Sequence, residues 1–368
     1  MFTKVKFKQE THKEFLDELN EKVEKYFFDN KISKLANTDM VVKTCAIIIS
    51  FISLYLTIIT NQLNSITGLL FCVLLGLIHP LFFINIAHDA SHNTYSKNKN
   101  VNRAILYLLN IVGINSYIFE FLHNRVHHAF TSIEGHDVIV EEYSLLRLSQ
   151  NQPYKKYHKY QKYYAPFIYL FFGLIVSFSI DFILFKRGRM GNSSPIKHPK
   201  SEWIKLYLFK GLYIVFSLVI PLILVNKPWF IILCGFFIIH FISGAILTLV
   251  GVLNHQIEES IFPIPNEDGL IPKSKKVHEL EVTYDFAPFN KLALFYFGGF
   301  NTHVAHHLYP NICHVHYIPI TKIISETVSK YGLEYNKKSL IGAIKSHFRY
   351  LDRLAQRPSQ TNYHRTNQ

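Results

Sequence analysis

The chain has 368 residues, of which 49% are hydrophobic and 18% are charged, and it carries a formal net charge of +13. Soluble proteins have about 25% charged residues, and here the apolar residues stand in long blocks that contain few charges. This composition argues against a soluble multidomain protein. The positive charge therefore lies in loops and tails, where it suits an anionic membrane surface better than nucleic acid, so we expect no nucleic-acid partner.

The chain is predicted to have three parts. Residues 1–40 are predicted to form a cytosolic amphipathic leader, residues 41–335 a membrane domain, and residues 336–368 a basic cytosolic tail. The leader has no apolar core of the signal-peptide type. Its apolar residues recur at helical spacing among Lys and Glu: Phe15, Leu16, Leu19, Val23 and Phe27. The four cysteines contain no CxxC, so the sequence supports neither a disulfide framework nor a thiolate zinc site.

Several blocks are long enough to cross a membrane, which takes about 20 apolar residues. The candidate spans are 41–60, 66–87, 166–185, 206–226 and 228–252, and residues 104–119 form a shorter apolar segment that suits an interfacial or buried helix. Lys and Arg, which favour the cytoplasmic side, flank the segment 166–185 at both ends: Lys155, Lys156, Lys159, Lys162, Lys186, Arg187, Arg189, Lys197 and Lys200. We therefore expect this segment to re-enter or to lie at the interface. The resulting fold is all-α and membrane-embedded, with four spans in two hairpins, a helical cap on the cytoplasmic side and both termini in the cytoplasm.

Histidines are clustered just beyond the predicted spans. Three clusters each contain a pair with a spacing of four residues, which places two imidazoles on one face of a helix. The pairs are His88/His92, His123/His127 and His303/His307, with His128 and His306 adjacent to two of them and His255 at the end of the last span. In the four-span topology all nine lie on the cytoplasmic side, where they could hold two metal ions.

Other interpretations of these histidines have to be weighed. A single HxxxH pair is a weak signal, and histidines in loops can be solvated or can contact lipid phosphate. Imidazole ligands suit Zn, Cu, Fe or Ni, but the number of ligands favours two redox-active ions over one hydrolytic zinc. A histidine-rich metal transporter would place its ligands within the spans. Here most histidines lie outside the predicted spans, with His240 as the clear exception, which argues against a transporter.

The order HxxxH, HxxxHH and HxxHH resembles the three histidine boxes of the membrane fatty-acid desaturase family. The stretches that carry the likeness are HDASHNTYS (88–96), HNRVHHAFTSIEGHDV (123–138), HELEVTYDFAPFNK (278–291) and GGFNTHVAHHLYPNICHVHY (298–317). The likeness is closest to linoleoyl-CoA or front-end acyl desaturases. It implies two iron ions held by the nine histidines above, O2 as co-substrate, and a long-chain acyl-CoA or acyl-lipid substrate that gains a double bond.

Two features depart from the front-end pattern. The third box begins with His303, where front-end enzymes usually have Gln. A cytochrome b5 domain with a His-Pro-Gly-Gly motif, which many of them carry, is absent from this sequence. The resemblance therefore implies a separate electron-transfer protein, either cytochrome b5 or a ferredoxin. A fatty-acyl hydroxylase or a sphingolipid desaturase shares the same boxes and remains an alternative.

Further residues are expected to orient the imidazoles from behind, as neighbours of metal-bound histidines commonly do. The candidates are Asp89, His136, Asp137, Glu258, His278 and Asp285. An unactivated methylene offers side chains no acid or electrophile, so an oxidant formed at a metal has to carry the reaction. No catalytic residue separate from the metal ligands is expected.

Overall fold

Long apolar helices dominate the chain in the computed structural model, which describes residues 5–8, 11–60, 63–137, 145–188 and 196–357. The helices are, in chain order, α1 (Lys13–Asp29), α2 (Thr38–Thr60), α3 (Ser65–Ser91), α4 (Lys99–Val112), α5 (Ser116–Phe130), α6 (Lys156–Arg187), α7 (Lys200–Leu224), α8 (Trp229–His255), α9 (Lys275–Val282), α10 (Lys291–Phe297), α11 (His303–Leu308), α12 (Tyr317–Lys330) and α13 (Leu340–Leu354). Short 3-10 turns cover Phe300–Thr302 and His314–His316.

The strands in the described residues are very short and form two parallel pairs. They are β1 (Lys6–Phe7), β2 (Leu270–Ile271), β3 (Asp285–Phe286) and β4 (Lys337–Lys338). β1 pairs with β2, and β3 pairs with β4 in the register Asp285 to Lys337. The fold is therefore helical, and these pairs only fasten loops to one another.

Helices α2, α3, α6, α7 and α8 are each long and apolar enough to cross a membrane, with mean hydropathies of 2.1 to 2.5. A span of about 20 residues suffices for about 30 Å of hydrocarbon. The chain is thus a membrane-embedded protein. The segment 166–185 lies inside α6, which satisfies the same criteria of length and composition, so the count of four spans stays a prediction.

Helices α4 and α5 form a further apolar pair with a bend of 117° between them. The short segment 104–119 falls across this bend. Gly113, at φ +78°, lies at the bend, and a Cβ atom there would come within 2.6 Å of the Ser177 hydroxyl. The bend directs α5, which carries the second histidine cluster, back towards the end of α3.

Helix α8 packs closely against both α3 and α6. A Cβ atom on Gly173 of α6 would lie 2.7 Å from the carbonyl oxygen of His240, and one on Gly244 of α8 would lie 2.6 Å from the backbone nitrogen of Gly173. Gly76 also lets α3 approach α8, because its Cβ would lie 3.1 Å from the Ile242 side chain. Small residues allow this close approach of helices in a membrane. The packing fixes the position of His255, the last residue of α8.

The two ends of the chain pack onto the part of the molecule beyond the apolar helices. Helix α1 buries the predicted apolar stripe of Phe15, Leu19, Val23 and Phe27 against α11 and α12. Helix α13 lies within the predicted C-terminal tail, and its His347 contacts the Tyr169 hydroxyl of α6 and the Gln256 carbonyl, at 2.7 and 2.6 Å. The division at residues 40 and 335 stays a prediction.

Candidate metal centre

The structure brings all nine predicted ligands into one cluster. Eight of them are buried and His92 is partly buried. They form two groups, within each of which one ligand nitrogen per residue lies within 4.8 Å of the others. The first group is His88, His92, His123 and His306, and the second group is His127, His255, His303 and His307.

The ninth imidazole, His128, lies between the two groups. Its Nε2 is 3.1 Å from Nε2 of His123 and 2.8 Å from Nε2 of His306, both in the first group. It also belongs to a set of three with His306 and His307, which joins it to the second group. The nine imidazoles therefore form one continuous cluster, in which the two groups meet at His128.

The winding of α5 decides which histidines share a group. Residues Phe121–His127 form a π-helix, whose hydrogen bonds run from residue i to i+5 and whose turn is wider than that of an α-helix. His123 therefore meets His128, five residues on, whereas His127 points into the second group. The sequence predicts that a spacing of four places His123 and His127 on one face, and their rings do stack at 5.8 Å. The π-helix nevertheless divides this pair between the two groups.

In the third box the winding is regular. His303 and His307 lie on the α-helix α11 with their Nε2 atoms 3.2 Å apart, and both belong to the second group. Gly298 and Gly299, with φ of +56° and +87°, precede this helix. A Cβ atom on Gly298 would lie 2.0 Å from the carbonyl oxygen of Ile84, so only glycine lets this loop approach α3.

Asp285 holds the start of α11. Its Oδ1 accepts a hydrogen bond of 2.8 Å from the Val304 backbone nitrogen, and the Tyr335 hydroxyl donates to its other oxygen. Burial raises the pKa of this carboxyl to about 7. Asp285 thus acts on the backbone of the third box, and not on an imidazole.

In the second group, oxygen atoms lie close to the Nδ1 atoms of three of the four histidines. Asp137 Oδ2 is 3.1 Å from His127 Nδ1 and also accepts from the Ser132 backbone at 2.8 Å. Burial opposes ionisation of Asp137, but His127 holds the pKa of this carboxyl below its usual value. Glu279 Oε2 lies 2.9 Å from His307 Nδ1, and the Val282 carbonyl lies 3.2 Å from His255 Nδ1.

The first group has a different environment. Nδ1 of His306 is 3.2 Å from the Tyr317 hydroxyl. Both ring nitrogens of His88 are buried without a hydrogen-bond partner among the described residues. Asp89, next to His88, instead contacts His314 Nδ1 at 2.5 Å and the Cys313 thiol at 3.1 Å.

A buried lysine completes this network around Asp89. Nζ of Lys43, on α2, lies 3.1 Å from Nε2 of His314, and the Lys43 side chain is buried. The network thus joins the first span, the first box and the turn after the third box. It fixes the backbone of the first box, since Asp89 lies between His88 and His92.

The remaining predicted neighbours make their contacts elsewhere. His278 Nε2 is 2.8 Å from the Thr131 carbonyl, and His136 Nδ1 is 3.1 Å from the Glu134 carbonyl. Glu258 accepts a hydrogen bond of 2.6 Å from Arg349 Nε. Sequence reasoning missed Glu279, although it stands beside His278 in a stretch that already carried the family likeness, and it assigned His314 no role at the site.

The donor set suits a transition metal with imidazole ligands. Burial and neighbouring imidazoles hold the pKa values of His303, His306 and His307 well below the usual value, so these rings are neutral and have a free lone pair. Nε2 of His255 is also buried without a hydrogen-bond partner among the described residues. Burying polar atoms without partners costs free energy, and metal coordination would satisfy them.

Comparison with known proteins agrees with this geometry. The family model described as fatty acid desaturase matches residues 64–339. An sn-1 linoleoyl-lipid 6-desaturase of Arthrospira platensis is 31% identical over 350 residues, which are 94% of this chain and 93% of that protein. The sn-1 linoleoyl-lipid 6-desaturase of Synechocystis sp. is 28% identical over 95% of this chain and 98% of its own length. An acyl-lipid (8-3)-desaturase of Physcomitrium patens is 26% identical over 91% of this chain and 70% of its own.

The match covers most of the chain and includes all three histidine boxes, and the relatives are similar over nearly the whole chain. The resemblance stated from the histidine boxes is thereby confirmed. The chain belongs to the fatty acid desaturase family and is an oxidoreductase that desaturates fatty-acyl chains.

Proposed function

We propose that this desaturase inserts a double bond into the acyl chain of a membrane lipid, with two iron ions held by the nine clustered histidines. O2 is the co-substrate, and a separate protein such as cytochrome b5 or a ferredoxin supplies electrons. The observation that carries the proposal is the division of eight imidazoles, seven of them buried and His92 partly buried, into two groups of four, with His128 between them. An acyl-lipid substrate is supported by the relatives' names, and acyl-CoA is the alternative carrier.

The residues of the site have three tasks. The bound iron would supply the oxidising power that an unactivated C–H bond requires. The imidazoles hold the ions in fixed positions, and Asp137 and Glu279 orient His127 and His307 from behind. The buried walls exclude water and hold one pair of carbons against the site, which prevents side reactions.

Metal content and product together test the proposal. Protein made in iron-replete cells should contain about two irons per chain and no stoichiometric zinc. Its product should have lost two hydrogens by mass spectrometry, whereas a hydroxylase product would gain oxygen. Iron well below one per chain in active protein would refute the two-iron assignment.

The proposed topology has four spans, α2, α3, α7 and α8, with α6 re-entering from the cytoplasmic side. Contacts at both ends of α6 support it. At one end Gln161 donates to the Leu351 carbonyl of α13 at 2.9 Å, and α13 also contacts the residue after His255. At the other end Phe185 packs in one cluster with Val126 of the second box. Both ends therefore lie near the histidines, whereas Phe178 in the middle reaches Phe236 near the start of α8.

This topology places both termini and the metal site in the cytoplasm, with the leader of residues 1–40 and the tail of residues 336–368 on the same side. Single cysteines in a cysteine-free variant test it by labelling from each side. Positions 63 and 227 should label from outside and position 190, which lies outside the described residues, from the cytoplasm. Labelling of position 190 from outside alone would establish α6 as a fifth span.

A further inference from the structure

A polar cavity opens beside the metal site. Its volume is about 390 Å³, in the range of small-molecule sites. Ala90, between the two ligands of the first box, and Asn93, just after them, form one wall, and Glu120, three residues before His123, forms another. Apart from Ala90 and Leu106 its lining is polar or aromatic: Asn93, Lys99, Asn102, Arg103, Tyr107, Ser116, Tyr117, Glu120 and Glu202. The cavity therefore suits a polar group, held next to the histidines.

The cavity lies where the apolar helices give way to the polar part of the molecule. Lys99 and Arg103 are one turn apart on α4, so their side chains lie on the same face. Glu202 belongs to the first turn of α7, at the end of an apolar helix. A lipid in the bilayer can thus present its head group to this cavity while its chains stay in the apolar region.

The charges that line the cavity are of both signs. Glu202 is neutralised by Lys205, whose Nζ lies 2.7 Å from its carboxylate. Among the described residues, Arg103 contacts the Tyr107 side chain, with its Nε 3.3 Å from the hydroxyl and its guanidinium carbon 5.9 Å from the ring centroid. Lys99 and Glu120 form no ion pair with a described residue and are exposed. Arg125 and Arg103 both interact electrostatically with the Glu120 carboxylate. The cavity is thus lined by two cations of α4 and by one carboxylate of α5 that forms no close ion pair with a described residue.

We propose that this cavity binds the head group of the acyl carrier, and that the carrier is a zwitterionic phospholipid. The phosphate contacts Lys99 and Arg103, since a guanidinium forms charge-assisted hydrogen bonds with phosphate oxygens. The ammonium group contacts the Glu120 carboxylate. A CoA thioester, with several phosphates and no cation of this kind, would bring negative charge to Glu120, and a neutral sugar head group would leave Lys99 and Arg103 without an anion.

This inference rests on the proposed function. The test uses the purified full-length protein in mixed micelles, supplied with O2 and with reduced ferredoxin or cytochrome b5. The substrates are a linoleoyl chain carried by phosphatidylethanolamine, phosphatidylglycerol or CoA. Desaturation should be most efficient with phosphatidylethanolamine, measured as kcat/KM from the product formed.

Two substitutions separate the two contacts. Glu120→Gln should raise KM for phosphatidylethanolamine about tenfold, or about 1.4 kcal/mol, and leave phosphatidylglycerol unchanged or improved. Arg103→Gln should raise KM for both phospholipids, because both carry the phosphate. Glu326→Gln, on the exposed face of α12 and 4.0 Å from Lys322, is the matched control and should change neither value.

The outcomes distinguish this inference from the proposed function. Preference for linoleoyl-CoA, or an unchanged phospholipid preference in Glu120→Gln, would overturn the zwitterionic head-group site while leaving a desaturase. Failure to desaturate any of the three carriers, with iron present and electrons supplied, would overturn the proposed function itself.

Discussion

The two histidine groups contain the same type of ligand but differ in what stands behind them. In the second group, His127 faces the carboxylate of Asp137, and His255 faces a backbone carbonyl. His307 faces the carboxyl group of Glu279, whose pKa burial raises to about 8. In the first group no ligand faces a carboxylate of a described residue at such a distance, and His88 has no hydrogen-bond partner at either nitrogen among those residues.

The difference teaches that one ligand type can form two unequal sites. A carboxylate behind an imidazole fixes the ring and makes its lone pair more basic, which strengthens metal binding. In the first group the Tyr317 hydroxyl faces His306, and the network of Asp89, His314 and Lys43 holds the backbone that carries His88 and His92 in place. We therefore expect the second group to bind its ion more tightly than the first.

Removal of a ligand should have the largest effect. His303→Ala should abolish desaturation, as should His88→Ala in the first group, because each ion loses an imidazole. His303→Gln should retain part of the activity, since an amide oxygen is a weaker ligand that front-end relatives usually have at this position. The activity of each variant is measured as the unsaturated product formed in a host that lacks this activity, corrected for the amount of the variant expressed in the membrane. Full activity of His303→Ala would exclude His303 as a ligand.

A smaller effect should follow from the carboxylates behind the second group. Glu279→Gln should weaken binding of one ion by about 10- to 100-fold, measured as iron retained against increasing chelator. Glu281→Gln is the matched control, because it lies on the same helix and pairs with Lys273 at the surface. Equal iron retention in both variants would show that the two groups do not differ in the way described.

Substitution of His314 should affect the first group only. His314→Gln removes the contact that joins Asp89 to Lys43, so the first box loses part of its backbone support. We expect a several-fold loss of desaturation, with the more weakly bound ion lost first on chelation. Exposed His12→Ala is the control. If iron binding is unchanged in His314→Gln, the network of Asp89, His314 and Lys43 contributes only to the stability of the fold.

The smallest effect should come from Glu18 on α1, away from both groups. Lys22, Lys330 and Tyr331 hold the pKa of this carboxyl at about 2, below its usual 4.5. Because the pKa is lowered in the folded protein, these contacts stabilise the fold above about pH 4.5, and their contribution is lost as the pH falls towards 2. Glu18→Gln should flatten this part of the pH dependence of thermal unfolding. The iron content of Glu18→Gln should equal that of the protein without the substitution. A loss of iron in this variant would show that α1 influences the metal site.

The sequence predicts those features that depend on regular spacing or long apolar blocks. The apolar stripe of α1 and the apolar helices follow from periodicity and hydropathy, and the histidine boxes follow from spacing. The pairing of His127 with Asp137 is also within reach, because the two lie ten residues apart in one motif.

Contacts between distant segments could not be predicted in the same way. Lys43 and His314 are 271 residues apart in the sequence, and no local sequence pattern predicts their contact. Glu279 is an ordinary acidic residue of a short helix until the fold places it beside His307. The π-helix of the second box was missed because the sequence pattern assumes 3.6 residues per turn.

That π-helix has a consequence for anyone who transplants the second box into a designed bundle. On a regular α-helix each residue advances about 100°, so positions five apart diverge by about 140°. If only the amino-acid sequence of the second box were transferred onto a regular α-helix, His128 would point away from His123. The contact that joins His128 to the first group would then be lost. A faithful graft must therefore carry the wide turn of Phe121–His127 with it.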